Sequence, residues 1–358
     1  MKIANITLKE IRIQLYEPFR VAFGEIDFVE NVLVKIETDE GITGYGEAAP
    51  MPFVTGETVQ SVLAMLNMLK RGLIGMNPLA IDSIHTVMDG VAHANSSAKC
   101  AIDLALYDIM GKALNKPVYQ VLGGESGVVH NDVTIGIDAP ERMAEKALYY
   151  VRELGYRILK IKAGICPDDD VRAIGLIREA VGADVRLRVD ANQGYDIASA
   201  VKTLDRFVPY NIEAVEQCLP DWDFEGSAYV RKKVRGIEIM LDESIHGPRD
   251  AARACKLGAA DILNIKLMKC GGLYPATEIN AIAQSFGVTC MVGCMLETPL
   301  AITAGLSLVA AKTNVTEADC DSFMYYDTER TGMKGGFSIE NGVFTLSEAP
   351  GFGIEIGF

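Results

Sequence analysis

From residue 128 onward, the sequence alternates between short apolar segments and longer helical segments, eight times over. Apolar strands that alternate with helices are typical of a parallel sheet whose neighbouring strands are joined by crossover helices. Eight such units close naturally into a (β/α)8-type barrel. We therefore predict an α/β fold whose barrel strands are DVTIGI, ILKIKA, VRLRVDA, IEAVEQ, IEIMLDE, DILNIKL, VTCMVG and TEADCD.

The residues before this alternation follow a different pattern, typical of an α+β unit. Alternating apolar residues, turn residues and helical periodicity predict a strand at 2–15, a loop at 19–30, a hairpin at 31–37 and 42–47, and helices at 57–72, 79–92 and 97–115. The chain thus divides into an α+β N-terminal capping domain, a barrel that carries the functional residues, and a C-terminal segment that returns to the capping domain, at residues 1–125, 126–324 and 325–358.

Composition narrows the class of protein. The net charge of −14 argues against a surface that binds nucleic acid. The eight cysteines form no CxxC pair, so we expect reduced thiols in a cytoplasmic protein. No signal-peptide pattern opens the sequence, and no apolar run reaches the ~18 residues that a membrane span needs. We expect a homo-oligomer that acts on a small molecule.

Two lysines, Lys160 and Lys162, stand two residues apart at the end of the second barrel strand. Residues two apart in a strand point to the same face, so both ammonium groups are directed at one place among apolar neighbours. Burial and mutual repulsion lower the pKa of an ammonium group, which is one way to turn a lysine into a base. For an isolated pair, the alternative is an exposed strand face with two solvated lysines.

Three acidic residues, Asp190, Glu216 and Asp242, end the third, fourth and fifth strands at a constant spacing of 26 residues. A barrel places its functional residues at the carboxyl ends of its strands, so these carboxylates should converge at its mouth. Oxygen ligands alone suit a hard divalent cation such as Mg²⁺ or Mn²⁺. A single acid at such a position is better explained as a helix cap, but three in register predict a metal site.

A further lysine, Lys266, ends the sixth strand. In a ring of eight strands the second and sixth are opposite, so Lys162 and Lys266 should face each other across the mouth with the metal to one side. Two bases on opposite faces of a bound carbon acid can move a proton from one face of the carbon to the other. The metal would stabilise the enediolate that forms when the proton α to a carboxylate is removed.

The motifs at these strand ends resemble those of the enolase superfamily, in its muconate-lactonizing subgroup. The resemblance covers nearly the whole chain and rests on KIK at 160–162, DAN at 190–192, VEQ at 215–217, DES at 242–244 and NIKLMKCGG at 264–272. It implies that Lys162 and Lys266 are the acid/base residues and that Lys160 tunes Lys162. It also implies one Mg²⁺ per active site on Asp190, Glu216 and Asp242, with Asn192 and Glu243 as supporting polar groups.

The end of the eighth strand, Asp319-Cys320-Asp321, is similar to the DxD motif of dipeptide epimerases. In those enzymes the acidic pair receives the α-ammonium group of the substrate. A dipeptide offers one cation and one carboxylate, and the carboxylate would go to the metal; the alternative for a DxD is a solvated or capping pair. The resemblance thus implies a two-lysine epimerase of dipeptides, and we expect its pocket to be completed by Thr134, Cys294, Met295 and Glu297.

The predicted loop at 19–30 bears on which dipeptide is bound. Ala-Glu epimerases carry an arginine there that binds the substrate's side-chain carboxylate, whereas this chain has Gly24. Asp27 and the neighbouring acids Glu25 and Glu30 would repel an acidic side chain. We therefore expect Gly24 and Asp27 to contact a dipeptide whose C-terminal residue is hydrophobic or cationic.

Two other functions remain open from the sequence. An o-succinylbenzoate synthase or cycloisomerase of the same superfamily would form the same intermediate but would need the second base and the DxD less. A catalytically silent binding protein on this fold is a different class, because fold alone does not establish chemistry. Deuterium exchange at the α-carbon of both epimers of a dipeptide would distinguish an epimerase from the synthase or cycloisomerase. Alanine substitution of Lys162 or Lys266 would distinguish an enzyme from a silent binding protein.

Overall fold

The computed structural model describes residues 1–21 and 24–358. Its amino-terminal part is a three-stranded antiparallel sheet, in the order β1-β2-β3, packed against helices. These elements are β1 Ile3–Val21, β2 Gly24–Thr38, β3 Thr43–Ala48, α1 Val59–Leu73, α2 Ile81–Val91, α3 Ser96–Leu114 and α4 Val118–Val121.

The first two strands are longer than the sequence predicts. β1 and β2 pair from Ile3 opposite Thr38 out to Val21 opposite Gly24, with a register shift after Gln14. The predicted loop at 19–30 is therefore wrong for residues 19–21 and 24–30, which are strand; Ala22 and Phe23 lie outside the described residues. Glu25 and Asp27 are the exposed half of a strand alternation, because they alternate with the less exposed Ile26 and Phe28.

The barrel is confirmed. After a short strand, β4 Val128–His130, eight parallel strands lie side by side in chain order. The last strand meets the first, since Asp132 N donates to Ala318 O at 3.1 Å and Cys320 N donates to Asn131 Oδ1 at 2.8 Å. The strands are β5 Val133–Ile135, β6 Ile158–Lys162, β7 Arg186–Asp190, β8 Ile212–Glu216, β9 Glu238–Leu241, β10 Ile262–Lys266, β11 Thr289–Gly293 and β12 Val315–Asp319.

Crossover helices cover the outside of the barrel, and in the third of them Ala200, Leu204 and Phe207 are buried at helical spacing. They are α5 Pro140–Arg152, α6 Pro167–Val181, α7 Ile197–Phe207, α8 Phe224–Lys233, α9 Pro248–Leu257, α10 Leu267–Cys270, α11 Leu273–Ser285 and α12 Pro299–Ala311. Turns of 3-10 helix at 322–325 and 328–331 follow β12. Within the described ranges, none of the helices combines the length and apolar character that crossing a bilayer requires.

The C-terminal segment contacts both parts of the protein. Its strands are β13 Met333–Gly335, β14 Phe337–Glu340, β15 Val343–Leu346 and β16 Ile354–Ile356. β15 pairs with both β14 and β4, next to the start of the barrel. Phe352 N donates to the buried Asp108 Oδ1 of α3 at 3.0 Å, which ties the segment to the capping helices.

A buried arginine joins the barrel strands one layer beneath their carboxyl ends. Arg188 of β7 is 3% exposed. Its guanidinium lies 3.1 Å from Asp132 and 2.9 Å from Glu213, and it also pairs with Glu317 of β12. Asp132 directly precedes the first barrel strand and Glu317 lies in the last, so this ion cluster links the strands that close the ring.

Replacing Arg188 by Met should destabilise the protein strongly. Asp132 is fully buried, and removing one partner of a buried pair leaves an uncompensated charge that costs about 3–5 kcal/mol. Arg186→Met is the matched control: it lies two residues away and pairs with Glu213 and Glu317, but its side chain is 42% exposed, so its loss should cost below about 1 kcal/mol. Denaturant unfolding measures both variants, and equal losses would contradict this reading.

Candidate active site

The mouth of the barrel opens into a cavity of about 630 Å³ between the carboxyl ends of the strands and the capping domain. Polar walls come from the barrel, and apolar walls come from both parts of the protein. The lining residues are Ile26, Met51, Val54, Thr134, Lys160, Lys162, Asn192, Glu243, Lys266, Cys294, Met295, Leu296, Asp319, Asp321, Ser322 and Tyr325.

Lys160 forms the centre of the polar floor. Its side chain is 2% exposed, and its Nζ lies 3.0 Å from Asp190, 2.8 Å from Glu216 and 2.6 Å from Asp319. These carboxylates come from β7, β8 and β12, on both sides of the strand that carries the lysine. One ammonium group therefore holds three strand ends together.

The charge state of Lys160 corrects the sequence interpretation. Two adjacent lysines suggested that repulsion lowers their pKa values. Burial does act in that direction, but the carboxylates of Asp190, Asp319 and Glu216 outweigh it and hold the pKa of Lys160 well above its usual range. Lys160 is therefore a fixed cation rather than a base.

Lys162 lies beside Lys160, and the two share one carboxylate. The Nζ of Lys162 is 2.7 Å from Asp190 Oδ2 and donates to Asn192 Oδ1 at 3.0 Å. Asn192 in turn donates from Nδ2 to Glu243 Oε1 at 3.1 Å. Burial raises the pKa of Asp190, but Lys160 and Lys162 overcome that effect and lower it to about 2, so the shared carboxylate is ionised.

Lys266, which lines the same cavity from β10, pairs with Asp242, the residue directly after β9. Its Nζ lies 2.7 Å from Asp242 Oδ2. The opposite oxygen of Asp242 is bonded by Lys269, whose side chain is fully buried and whose Nζ also donates to Asn264 O at 3.2 Å. Burial lowers the pKa of Lys266, but Asp242 reverses the effect, and the net direction is upward.

The remaining acid, Glu216, is held by β10. Asn264 Nδ2 donates to Glu216 Oε1 at 2.7 Å, while the other oxygen faces Lys160. Burial and repulsion from Asp190 raise the pKa of Glu216 to about 8. A cation held against this carboxylate would favour its ionised form.

The donor set fits a hard divalent cation in chemistry and in charge. Across residues 1–21 and 24–358, no three His, Cys, Asp or Glu side chains are grouped closely enough to hold a metal as they stand, since the carboxylates bond to lysines. Yet Glu243 Oε2 is buried without a hydrogen-bond partner. With every group counted as charged, the mouth also carries six carboxylates against four ammonium groups, an excess of two negative charges, from Asp190, Glu216, Asp242, Glu243, Asp319 and Asp321 against Lys160, Lys162, Lys266 and Lys269.

The acidic pair after β12 is held in a defined orientation by neighbouring donors. Asp321 Oδ2 accepts from Thr134 N at 2.7 Å and from the Tyr325 hydroxyl at 2.8 Å. Asp319 accepts from Thr134 Oγ1 at 3.3 Å and pairs with Lys160. Lys160 lowers the pKa of Asp319 against the effect of burial, whereas burial and Asp319 raise that of Asp321 to about 6.

The loop after β11 lines the cavity and is fixed by the capping domain. The fully buried Glu47 of β3 accepts from Thr298 N at 2.8 Å and Ala301 N at 3.2 Å, so it caps the first turn of α12. Asn31 of β2 donates to Glu47 at 2.6 Å and to Leu296 O at 2.8 Å. The wall at 294–296 therefore depends on both parts of the protein.

Two residues expected in the pocket, Glu297 and Asp27, do not line the cavity. Cys294 and Met295 line the cavity, but Glu297 does not: its carboxylate accepts from Met295 N at 3.0 Å beneath the loop. Asp27 is exposed and lines a neighbouring cavity of about 700 Å³ in the capping domain. Gly24 begins β2 beside the undescribed residues 22–23, and its contact with a substrate stays a prediction.

Sequence reasoning missed several residues of the site. Asn264 was detectable, because it lies two residues before Lys266 and therefore shares its strand face. Lys269 lies within the NIKLMKCGG motif at 264–272, but nothing in the sequence indicated that its side chain is fully buried. Tyr325 and the apolar wall residues, such as Met51, reach the cavity only through the tertiary fold.

Comparison with known families covers nearly the whole chain. Residues 3–123 match the mandelate racemase / muconate lactonizing enzyme N-terminal domain. Residues 142–357 match the family described as enolase C-terminal domain-like.

Characterised relatives and solved structures match over their full lengths. The hydrophobic dipeptide epimerase of Enterococcus faecalis is 43% identical over 99% of this chain and 100% of its own. The L-Ala-D/L-Glu epimerase of Clostridium acetobutylicum is 39% identical over 99% of both chains. The crystal structure of the dipeptide epimerase from Enterococcus faecalis, complexed with Mg and L-Leu-L-Tyr, superposes with a TM-score of 0.96 at 43% identity, covering 99% of this chain and 100% of that chain.

Glu297→Gln should remove a pH-dependent loss of stability. Burial, with a contribution from Glu47, raises the pKa of Glu297 from 4.5 to about 8. Because the folded-state pKa is raised, the unfolded chain ionises first, and stability falls as pH rises from 4.5 to about 8. As pH rises through this window, the free energy of unfolding of the variant should increase relative to that of the wild type, by up to about 5 kcal/mol.

Thermal unfolding at pH 5 and pH 8 measures this gain. Glu225→Gln is the control, because its side chain is 66% exposed and bonds only loosely to Arg253, at 3.3 Å. A Glu297→Gln variant whose stability relative to wild type is the same at both pH values would contradict the assignment.

Proposed function

Because the chain belongs to the enolase superfamily, in its mandelate racemase / muconate lactonizing enzyme group, we propose that it is a dipeptide epimerase that acts on hydrophobic dipeptides. The observation that carries this proposal is the presence of Lys162, Lys266 and the Asp319/Asp321 pair around one cavity. The first two supply acid/base groups on different strands. The acidic pair supplies a site for an ammonium group.

Lys162 and Lys266 are the proposed acid and base. Strands β6 and β10 are the second and sixth of the ring, so their lysines approach a bound substrate from opposite faces. One lysine removes the proton from the α-carbon next to the substrate carboxylate, and the other returns a proton to the opposite face. The α-carbon then has the inverted configuration.

Asp190, Glu216 and Asp242 are the residues that would hold one Mg²⁺ per active site. When bound, the ion supplies electrostatic stabilisation of the enediolate oxygens. Asn264 orients Glu216, and Lys269 orients Asp242. Asn192 accepts a hydrogen bond from Lys162 and donates one to Glu243, so it links these two side chains.

Asp319 and Asp321 are the proposed receptors of the substrate's α-ammonium group. Both lie on the cavity wall, and Thr134 orients both carboxylates. When the α-ammonium group binds there, it fixes how far the reacting α-carbon lies from the two lysines.

The apolar walls support a hydrophobic dipeptide. Ile26, Met51 and Val54 reach the cavity from the capping domain, and Leu296 reaches it from the barrel. A side-chain carboxylate placed among them would be desolvated without a partner, which is unfavourable. Among the described lining residues the cations are lysines, and they belong to the polar floor.

Alanine substitution of either lysine should abolish epimerisation while leaving proton exchange with one epimer. General acid–base groups contribute about 10²–10⁴-fold to rate, and the remaining lysine still reaches one face of the α-carbon. Deuterium incorporation from ²H₂O into L,L- and L,D-dipeptides, followed by NMR, measures this. Lys162→Ala and Lys266→Ala should retain exchange with different epimers.

The control for this experiment is Lys256→Ala, which removes an exposed lysine on α9. It should exchange and epimerise both substrates like the wild type. Chelation with EDTA should stop exchange in every variant and added Mg²⁺ should restore it. If both lysine variants exchange both epimers, the two-base assignment is wrong.

A panel of dipeptides tests the substrate class. The kcat/KM of epimerisation should be higher for dipeptides with a hydrophobic C-terminal residue than for L-Ala-L-Glu, by at least about tenfold, since each 1.4 kcal/mol of lost transition-state stabilisation is one decade. If the enzyme instead prefers dipeptides with a cationic C-terminal residue, the acidic residues of β2, and not the apolar wall, would be the groups that select the substrate. Faster turnover of L-Ala-L-Glu than of the neutral and basic members would contradict both assignments.

A further inference from the structure

A second cavity adjoins the proposed site, and the two share one lining residue. This space, of about 1290 Å³, lies between β1, the end of β5 and α5. Tyr325 lines both cavities. It belongs to the 3-10 turn at 322–325, directly after the strand that carries Asp319.

Tyr325 is fixed in this position by its hydroxyl group. The hydroxyl lies 2.8 Å from Asp321 Oδ2, to which it donates, and 3.3 Å from Thr134 O. The ring is therefore held beside Asp321 and the end of β5, where it lines both cavities. The same residue both orients Asp321 and lines the second cavity.

The position of the ring relative to the two cavities points to a role in substrate length. We propose that Tyr325 closes the amino-terminal end of the substrate site, so that the enzyme acts on dipeptides and excludes longer peptides. This inference rests on the proposed function, since it takes Asp319 and Asp321 as the site of the α-ammonium group. A residue added before that ammonium would have to occupy the volume of the ring.

The second cavity has the chemistry to take such an added residue once the ring is removed. Its walls carry charged groups of both signs, including Lys146 paired with Glu17 at 2.6 Å and Arg142 near Asp138 at 3.8 Å. A peptide bond and a terminal ammonium group find hydrogen-bond partners in a space of this kind. The length limit is therefore set by Tyr325 and not by the volume beyond it.

The test compares L-Leu-L-Leu with Gly-L-Leu-L-Leu, in both of which the reacting carbon belongs to the C-terminal leucine. The measured quantity is the ratio of kcat/KM for the two peptides, by deuterium exchange at that carbon. The wild type should prefer the dipeptide by at least about a hundredfold, the effect expected when a buried charged pair loses its partner. Tyr325→Ala should reduce this preference at least tenfold.

Tyr325→Phe is the matched control, because it keeps the ring and removes the hydroxyl group. It should retain the preference for the dipeptide, while KM for L-Leu-L-Leu rises roughly tenfold through the lost hydrogen bond to Asp321. A merely structural role of Tyr325 would change kcat/KM for both peptides equally and leave the ratio unchanged. Tyr325→Ser is a second opening variant, for use if the alanine variant does not fold.

Two outcomes overturn the inference in distinguishable ways. If the wild type epimerises the dipeptide but folded Tyr325→Ala and Tyr325→Ser keep the wild-type ratio, Tyr325 does not set the length limit and the proposed function stands. If the wild type does not exchange the α-proton of any dipeptide, the proposed function fails and the inference fails with it. A wild type that turns over both peptides equally also overturns the inference.

Discussion

The buried ammonium group of Lys160 is the interaction on which the site depends. It contacts carboxylates of β7, β8 and β12 at 2.6–3.0 Å, and without it the three acids would repel one another in a place with little water to screen them. Such a cluster is costly to form and strongly directional once formed. It fixes the strand ends relative to one another, and it explains how a barrel mouth can hold so many like charges.

The cavity above this floor is composite, because the capping domain supplies part of its wall and also holds part of the barrel in place. Glu47 and Asn31 are both buried, and they bond the loop after β11 and the first turn of α12. The apolar residue Met51 follows in the next loop. Substrate selectivity and domain packing therefore share the same contacts, so that changes in the capping domain reach the wall of the barrel cavity.

Most of the fold was predictable from periodicity, since each barrel strand and helix has its own local signal. The position of Asp190, Glu216 and Asp242 at strand ends followed from that periodicity. The strand at Glu25–Phe28 was missed because its exposed positions are all acidic, which resembles a loop in composition. The charge state of Lys160 was mispredicted, because the decisive partners come from strands distant in sequence. Tyr325 had no local signal, since only the closed ring brings the turn after β12 against β5.

The pairing of Lys266 with Asp242 connects the two halves of the proposed chemistry. Asp242, a proposed metal ligand, has its Oδ2 2.7 Å from the lysine nitrogen and is the main reason that the pKa of Lys266 is raised. A lysine so strongly paired is an acid and a poor base. A cation that draws on the same carboxylate weakens that attraction and favours loss of the lysine proton. If Asp242 holds the proposed ion, metal binding and the readiness of Lys266 to accept a proton would be coupled through this carboxylate. The same carboxylate is anchored on its other side by Lys269, which keeps it in place when its bond to Lys266 weakens.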